Sequence, residues 1–254
     1  MTAVTATSVN IPTPDGVADA HLAHPDDGAA HPPVLFYMDA FGLRPHLTAM
    51  AERLAAAGYT VLVPNVFYRH GRAPVVELPK RIDLRGRPKF FERLRPILQQ
   101  HTPERAVADA AAYLDFLTSL PQAAAGPVGV TGYCMGATLM LRTAAAHPDR
   151  VAAGAGFHGG NLATDQPDSP HLLAPKIRAE LYFGHADRDP SLPPEQVERL
   201  NAALTDAGVR FRAEVYSGAP HGYTQADTVA YHAEAAERHW TELLALFDRT
   251  LRAR

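Results

Sequence analysis

The sequence contains a single cysteine, no long apolar run and no strong excess of either charge. One cysteine in 254 residues excludes an internal disulfide bond and a cysteine-rich metal site. No run approaches the ~20 apolar residues that a membrane-spanning helix requires. The 24 basic and 27 acidic residues give a net charge of −3, so no overall field attracts nucleic acid or an anionic membrane. With no apolar segment near Met1, we expect a soluble cytoplasmic protein that binds neither nucleic acid nor a membrane.

Two common cofactor signatures are also missing. No helix carries histidines and a carboxylate at the H-E-x-x-H spacing of a zinc site, and the 13 histidines form no cluster along the chain. The sequence has no glycine-rich loop of the kind that holds phosphates. We therefore expect no metal and no cofactor.

The remaining pattern is an alternation of strands and helices. Pro14-Asp15-Gly16 is a turn signal between two short runs, which predicts an opening antiparallel hairpin. Apolar runs predict buried strands at residues 34–38, 59–63, 128–131, 151–155, 180–183 and 211–216. Helical spacing predicts helices at residues 45–57, from 102 to about 117, at 137–146, 194–207 and 227–251. This order predicts one α/β domain over residues 1–254, a mostly parallel sheet with helices on both faces.

Residues 65–101 interrupt the alternation with a basic, proline-containing insertion. Residues 69–95 hold nine of the 24 basic residues and three acidic ones, a local charge of +6. Prolines 74, 79, 88 and 96 argue against one long helix. The insertion is either a solvated excursion or a cap over an active site whose arginines attract an anionic substrate. Nucleic-acid binding is disfavoured because the rest of the chain is net acidic.

The lone cysteine lies where a predicted strand meets a predicted helix. The segment Gly132-Tyr133-Cys134-Met135-Gly136 has the Gly-x-nucleophile-x-Gly form of a nucleophile elbow, with sulfur in place of the serine oxygen. Such a turn is sharp, so its flanking positions must be small. Cys134 would lie at the N-terminus of the following helix, whose partial positive charge favours the thiolate. The sequence therefore predicts Cys134 to be a nucleophile rather than a buried structural cysteine.

An acid and a histidine follow the cysteine in the order that this kind of site requires. Among the 13 histidines, His221 alone lies in a glycine-containing loop after the last predicted strand and before the last helix. Asp187 follows the strand at residues 180–183 in the pattern Gly-x-x-Asp, and we take it as the acid of the triad. Asp189, two residues later, is the alternative.

The chain resembles the dienelactone hydrolases, a family of α/β-hydrolases that includes carboxymethylenebutenolidase. The resemblance covers nearly the whole chain. It rests on the segments Met38-Asp39-Ala40-Phe41-Gly42-Leu43, Gly58–Pro64, Gly132–Gly136, Gly184-His185-Ala186-Asp187 and His221-Gly222-Tyr223. The resemblance implies a single-domain α/β-hydrolase fold and a Cys134-His221-Asp187 triad. It also implies hydrolysis of an ester or lactone without a cofactor.

Two positions depart from the family pattern. Family members active on dienelactone have a glutamate where this chain has Asp39, and an arginine that grips the substrate carboxylate where it has Gln225. The natural substrate therefore does not follow from the resemblance. Arg69 of the insertion is our leading replacement for that arginine, for a substrate that carries negative charge. The candidate substrate-binding residues are Asp39, Phe41, Tyr68, Arg69 and Tyr223.

These residues predict acyl transfer to sulfur followed by hydrolysis. The backbone N–H groups of Met135 and Ala40 would form the oxyanion hole. Two other functions stay open. One is a non-catalytic module of the same fold that binds a small ligand or a protein, and the other is a redox-sensing thiol, which would need glutathione or a partner chain because it has no second cysteine. The sequence leaves the oligomeric state open.

Overall fold

The computed structural model describes residues 2–83 and 88–252, without the side chains of residues 88–91. Within these residues eight strands form one sheet in the order β1-β2-β4-β3-β5-β6-β7-β8. The strands are β1 Val4–Thr13, β2 Gly16–Pro25, β3 Pro33–Tyr37, β4 Thr60–Pro64, β5 Val128–Tyr133, β6 Val151–Phe157, β7 Glu180–Ala186 and β8 Phe211–Tyr216.

The sheet has an antiparallel edge and a parallel body. β1 and β2 form the predicted hairpin, whose turn passes through Gly16 at a φ of 141°. β2 also pairs antiparallel with β4, and every pair from β4 through β3 to β8 is parallel. β3, β4 and β5 are buried along their whole length, as expected for central strands covered on both faces. The α/β-hydrolase fold predicted from the sequence is confirmed.

Helices cover the sheet and connect its parallel strands. They are α1 Pro45–Ala56, α2 Pro88–Gln100, α3 Pro103–Ser119, α4 Met135–Ala146, α5 Pro194–Asp206 and α6 Ala233–Phe247. Short 3₁₀ helices lie at Tyr68–His70 and Pro170–Lys176, and a π-helical turn at Asp248–Arg252 follows α6. Thr102 caps α3, because its hydroxyl accepts a hydrogen bond from the Arg105 N–H. Pro103 then fills the first helical position, where no N–H partner is lost.

Two predicted elements differ from the structure. The closing helix begins at Ala233 rather than near residue 227, because the His232 side chain caps it by accepting from the Ala235 N–H. The preceding residues form turns in which Thr228 accepts from the Ala230 N–H and pairs with Ile82 as an isolated β-bridge. The insertion contains α2, which runs through Pro96. Of its basic residues, Arg85 and Arg87 lie outside the described residues.

Candidate active site

Cys134 lies in a strained turn between β5 and α4. Its φ is 53° and its ψ is −115°, a backbone conformation that residues other than glycine rarely adopt. A Cβ atom on Gly132 would lie 2.0 Å from the Gly136 carbonyl oxygen, and one on Gly136 would lie 2.6 Å from the Tyr37 carbonyl oxygen. Both flanking glycines are therefore required by close backbone approach. The turn presents Cys134 as the N-cap residue of α4.

His221 pairs with Asp189, and the prediction that it pairs with Asp187 is wrong. His221 Nδ1 donates to Asp189 Oδ2 at 2.5 Å, and the Asp189 side chain is only 2% exposed. Asp187 instead accepts a hydrogen bond from the Gly218 N–H at 2.9 Å, which fixes the loop that carries the histidine. The chain turns at Arg188, whose φ is 52°, so the side chains on either side of it diverge. The acid in contact with the histidine is thus the alternative that the sequence left open.

Ser191 completes the surroundings of this carboxylate. Its backbone N–H and its hydroxyl both donate to Asp189 Oδ1, and its Oγ lies 3.2 Å from His221 Nδ1. Burial alone raises the pKa of Asp189, but its hydrogen bond with His221 and those with Ser191 lower it below the usual value. The acid therefore remains ionised beside the ring.

The charged form of His221 is strongly favoured. Burial lowers the pKa of His221, but a hydrogen bond to Asp189, a hydrogen bond to the Cys134 side chain and the charges of both partners together raise it to about 10. The cysteine and the carboxylate thus act on the pKa of the same imidazole. A positively charged imidazole beside a cysteine is the arrangement that activates a sulfur nucleophile.

Two cavities meet at Cys134 and His221. The larger has a volume of about 640 Å³ and is bordered by Met135, Ser191 and polar residues of α4 and of the loop after β6. The smaller has a volume of about 330 Å³ and a mainly apolar lining of Phe41, Ile82, Leu94, Leu98, Val229 and Ala230. Ala40 borders both cavities, and Met135, the other residue predicted to supply the oxyanion hole, borders the larger one together with Cys134.

Asp39 is held by an arginine that the sequence analysis missed. Arg44 donates to both carboxylate oxygens of Asp39, at 2.8 and 2.9 Å, to Asp227 at 2.6 Å and to Gln225 at 3.0 Å. The Arg44 and Asp39 side chains are 5% and 4% exposed. A buried bidentate ion pair of this kind fixes both partners. Gln225, which stands at the arginine position of the family pattern, is thus a partner of an arginine from another element.

Three of the predicted substrate-binding residues lie away from the two cavities. Arg69 is bound by Asp109 and Asp15, and Tyr68 donates to Asp109, so these two anchor the start of the insertion to α3. Tyr223 is buried and donates to the Gly184 carbonyl oxygen. The predictions for Arg69, Tyr68 and Tyr223 are corrected accordingly, because each side chain is taken up by a partner within the fold. Asp39 and Phe41 do border the smaller cavity.

A second histidine stands beside His221. His158 is fully buried at a φ of 38°, and its ring centroid lies 5.3 Å from that of His221. Its Nε2 pairs with the Thr224 hydroxyl at 2.8 Å. Burial, and then the charge of His221, hold the pKa of His158 well below its usual value, so it is neutral. Its position at the end of β6 was the only sequence signal for it, whereas Arg44 and Ser191 carried none.

Two kinds of feature are absent from the described residues. No group of three or more histidine, cysteine, aspartate or glutamate side chains in that part of the chain is placed to hold a metal ion. None of the helices found over residues 2–83 and 88–252 is long and apolar enough to cross a membrane.

Comparisons with known proteins show the family of the chain. The profile of the dienelactone hydrolase family matches residues 18–251. A carboxymethylenebutenolidase from Rhodococcus opacus is 28% identical over 243 residues, which cover 94% of this chain and 89% of that protein.

Solved structures share the fold at lower identity. A dienelactone hydrolase-like promiscuous phosphotriesterase from metagenomic libraries has a TM-score of 0.82 at 23% identity, covering 98% of this chain and 99% of that one. A dienelactone hydrolase from Anabaena variabilis has a TM-score of 0.70 at 18% identity, covering the same shares. The profile match spans most of the chain, and the chain therefore belongs to the dienelactone hydrolase family, whose members are hydrolases of the α/β-hydrolase fold.

Proposed function

We propose that the protein hydrolyses an activated ester or a lactone through a cysteine acyl-enzyme, with Cys134 as nucleophile, His221 as acid and base, and Asp189 as the acid that orients the imidazole. One observation carries this proposal: His221 is hydrogen-bonded to a buried carboxylate, and the Cys134 side chain in the nucleophile elbow is near enough to raise the pKa of the same ring. Family membership supports the reaction class.

In the first half of the reaction the Cys134 thiolate attacks the carbonyl carbon. The carbonyl oxygen becomes an oxyanion, which the N–H groups of Met135 and Ala40 would stabilise, each by on the order of 3 kcal/mol. His221 is protonated at this point and gives its proton to the leaving alcohol or enol. A thioester on Cys134 results. Asp189 keeps the imidazole aligned, since its buried carboxylate bonds to Nδ1 and leaves Nε2 for the reaction.

The second half requires His221 to act as a base. Forming the thioester removes the thiolate, and with it one of the interactions that raise the pKa of His221. The neutral imidazole can then take a proton from water, whose oxygen attacks the thioester carbonyl. The tetrahedral intermediate expels the Cys134 thiolate, the acid product leaves and His221 is again protonated. The same ring thus changes role because the charge beside it changes.

The sulfur nucleophile restricts the substrates. A thiolate is a good leaving group, so the tetrahedral intermediate formed from an ordinary amide expels sulfur rather than the poorer amine. Activated esters, enol lactones and thioesters have leaving groups that compete with sulfur. We therefore expect turnover of p-nitrophenyl acetate and little peptidase activity.

The decisive test is Cys134→Ala assayed with p-nitrophenyl acetate. The substitution removes the nucleophile, so we expect turnover to fall to the background rate while the urea unfolding midpoint stays near that of the wild type. Iodoacetamide should label Cys134 of the wild type at neutral pH much faster than it labels a free thiol. Retention of turnover in Cys134→Ala contradicts the proposal. Rapid labelling without any turnover of activated esters or lactones would favour a thiol with a binding or redox role.

A further inference from the structure

The larger cavity has an arginine on the same helix as the nucleophile. Met135, Thr138, Leu139 and Arg142 of α4 border this cavity. They are spaced by three and four residues, so they form one stripe along the helix. Cys134 caps the same helix, and the cysteine and the arginine therefore face one continuous space.

Arg142 has little fixed compensation for its charge. Its side chain is 12% exposed, and it donates to the Asp168 backbone oxygen at 2.8 Å. The nearest carboxylate is that of Asp168, 3.7 Å away and itself 61% exposed. An ion pair with so exposed a partner contributes little. Burial lowers the pKa of Arg142, and the opposing effects of Asp168 and Glu104 do not reverse this.

Arg44, on the other side of Cys134, has the opposite surroundings. It is saturated by two carboxylates, Asp39 and Asp227, so its cluster carries a net negative charge next to the apolar cavity. An anionic group would be repelled there and attracted toward Arg142.

The larger cavity also holds a polar atom that lacks a partner among the described residues. His101 borders the cavity, and its Nε2 is buried without a hydrogen-bond partner among the described residues. Burial lowers the pKa of His101 to about 4, so the ring is neutral and can donate one hydrogen bond. A buried polar nitrogen without a partner is costly unless a ligand or water satisfies it.

We propose that Arg142 binds a carboxylate or phosphate group of the ester substrate, while an apolar part of the same molecule occupies the cavity lined by Phe41, Ile82 and Val229. This proposal rests on the proposed function, because it places both ends of the substrate relative to Cys134. It assigns the anion to the polar cavity, and it identifies a substrate with one acidic and one apolar end.

The helix geometry limits the spacing between the two groups. Arg142 lies eight positions after Cys134, which corresponds to about 12 Å along a helix axis. Long side chains on a helix lean toward its N-terminus, so the guanidinium lies closer to the sulfur than its own Cα does. A spacer of several atoms between the reacting carbonyl and the anion fits this separation. The anion can belong to the acyl part or to the alcohol part of the ester.

The test measures kcat/KM for pairs of esters that differ in charge, with the wild type and with variants that carry one substitution. In the acyl arm, mono-p-nitrophenyl adipate is compared with its methyl ester, which has the same length without the charge. In the alcohol arm, 4-acetoxybenzoate is compared with methyl 4-acetoxybenzoate. One of the two pairs of esters should place the anion as the natural substrate does. For that pair, Arg142→Gln should lower the ratio of kcat/KM for the anionic ester to kcat/KM for the neutral ester by roughly tenfold to a hundredfold, mainly through KM. This is the effect expected for the loss of a charge-assisted hydrogen bond. Arg142→Lys should recover part of the ratio.

Two further variants make the result specific. Asp168→Asn removes the competing carboxylate and should raise the ratio. Arg178→Gln removes an arginine whose side chain is 71% exposed and paired with Asp149, and it should leave the ratio unchanged. The proposal is overturned if Arg142→Gln leaves the ratio unchanged in both arms, or changes it no more than Arg178→Gln does. Failure of the proposed function would look different, because Cys134→Ala would then retain turnover of every ester.

Discussion

The elbow region, residues 128–146, and the insertion, residues 65–101, both line the two cavities at the site but are built in different ways. In the elbow, backbone atoms pack so closely that Gly132 and Gly136 tolerate no Cβ. The described part of the insertion is held by side chains, chiefly the Arg69 ion pair with the buried Asp109. It reaches the cavities through Ile82, Leu94, Leu98 and His101.

The two regions therefore contribute to the site in different ways. Cys134 of the elbow and the His221 and Asp189 side chains that face it supply the reacting groups, so substitutions of these three side chains should change kcat more than they change folding. The insertion supplies a wall of the substrate cavities and is fastened by an ion pair. Substitutions there should change stability or substrate preference and leave the reacting groups in place. The arginines in its described part either anchor the insertion to the rest of the fold or face solvent. This argues against a role of Arg69 in attracting the substrate.

The strongest test on the elbow side compares the two aspartates that follow β7. Asp189→Asn keeps the shape of the side chain but removes the charge that orients and charges His221, so we expect kcat for p-nitrophenyl acetate to fall by on the order of 10²- to 10⁴-fold. Asp187→Asn keeps an acceptor for the Gly218 N–H and should stay within about threefold of the wild type. The reverse order of the two effects would restore Asp187 as the acid of the triad.

On the insertion side, Arg69→Ala should affect stability first. It leaves the Asp109 carboxylate, whose side chain is 1% exposed, without its cation. Breaking a buried pair from one side costs about 3 kcal/mol or more, which urea unfolding monitored by circular dichroism would measure.

Arg72→Ala is the matched control for Arg69→Ala. It removes an exposed arginine that bonds only to Asn10 among its described contacts, and it should cost less than about 1 kcal/mol. If Arg69→Ala left stability unchanged and instead raised KM for an anionic ester, the insertion would belong to the binding machinery after all.

The pH dependence of kcat/KM tests the charge of His221, which faces the elbow. The pKa of His221 is raised to about 10, so its charged form persists at neutral pH and is lost as the pH rises through that value. Because the charged ring protonates the leaving group, we expect the alkaline limb of the kcat/KM profile to lie near pH 10. Asp189→Asn removes the strongest interaction that raises this pKa and should move the limb to lower pH. A limb that stays in place would show that another group titrates there.

The fold was largely predictable because its signals are local. Each central strand is a short apolar run, and each of α1, α4 and α5 has apolar residues at helical spacing, so the parallel order follows from the alternation. The start of α6 was misplaced because the preceding turns also carry apolar residues such as Val229, which line a cavity instead of continuing the helix. In this segment the apolar residues of a cavity wall cannot be distinguished by composition from the apolar face of a helix.

The site was predictable only where one short motif carries it. Cys134 and His221 each stand in a local pattern, and the structure brings them together. The choice between Asp187 and Asp189 depends on a single left-handed residue, Arg188, whose conformation no spacing rule indicates. Arg44 reaches Gln225 and Asp227 across more than 180 residues of sequence, so only the fold shows that these positions share one charge network.

The smallest expected effect concerns a single turn of α2. Leu98 borders both cavities, whereas its neighbour Ile97 points to the small space beside Phe67 and His101 on the other side. Leu98→Ala should lower kcat/KM for p-nitrophenyl hexanoate roughly fivefold relative to p-nitrophenyl acetate, since a half-buried methylene group or two contributes about 1 kcal/mol. Ile97→Ala removes a similar volume from the same helix and should leave this ratio unchanged. Equal ratios in the two variants would mean that α2 acts only as a support for the fold and that the apolar end of the substrate lies elsewhere.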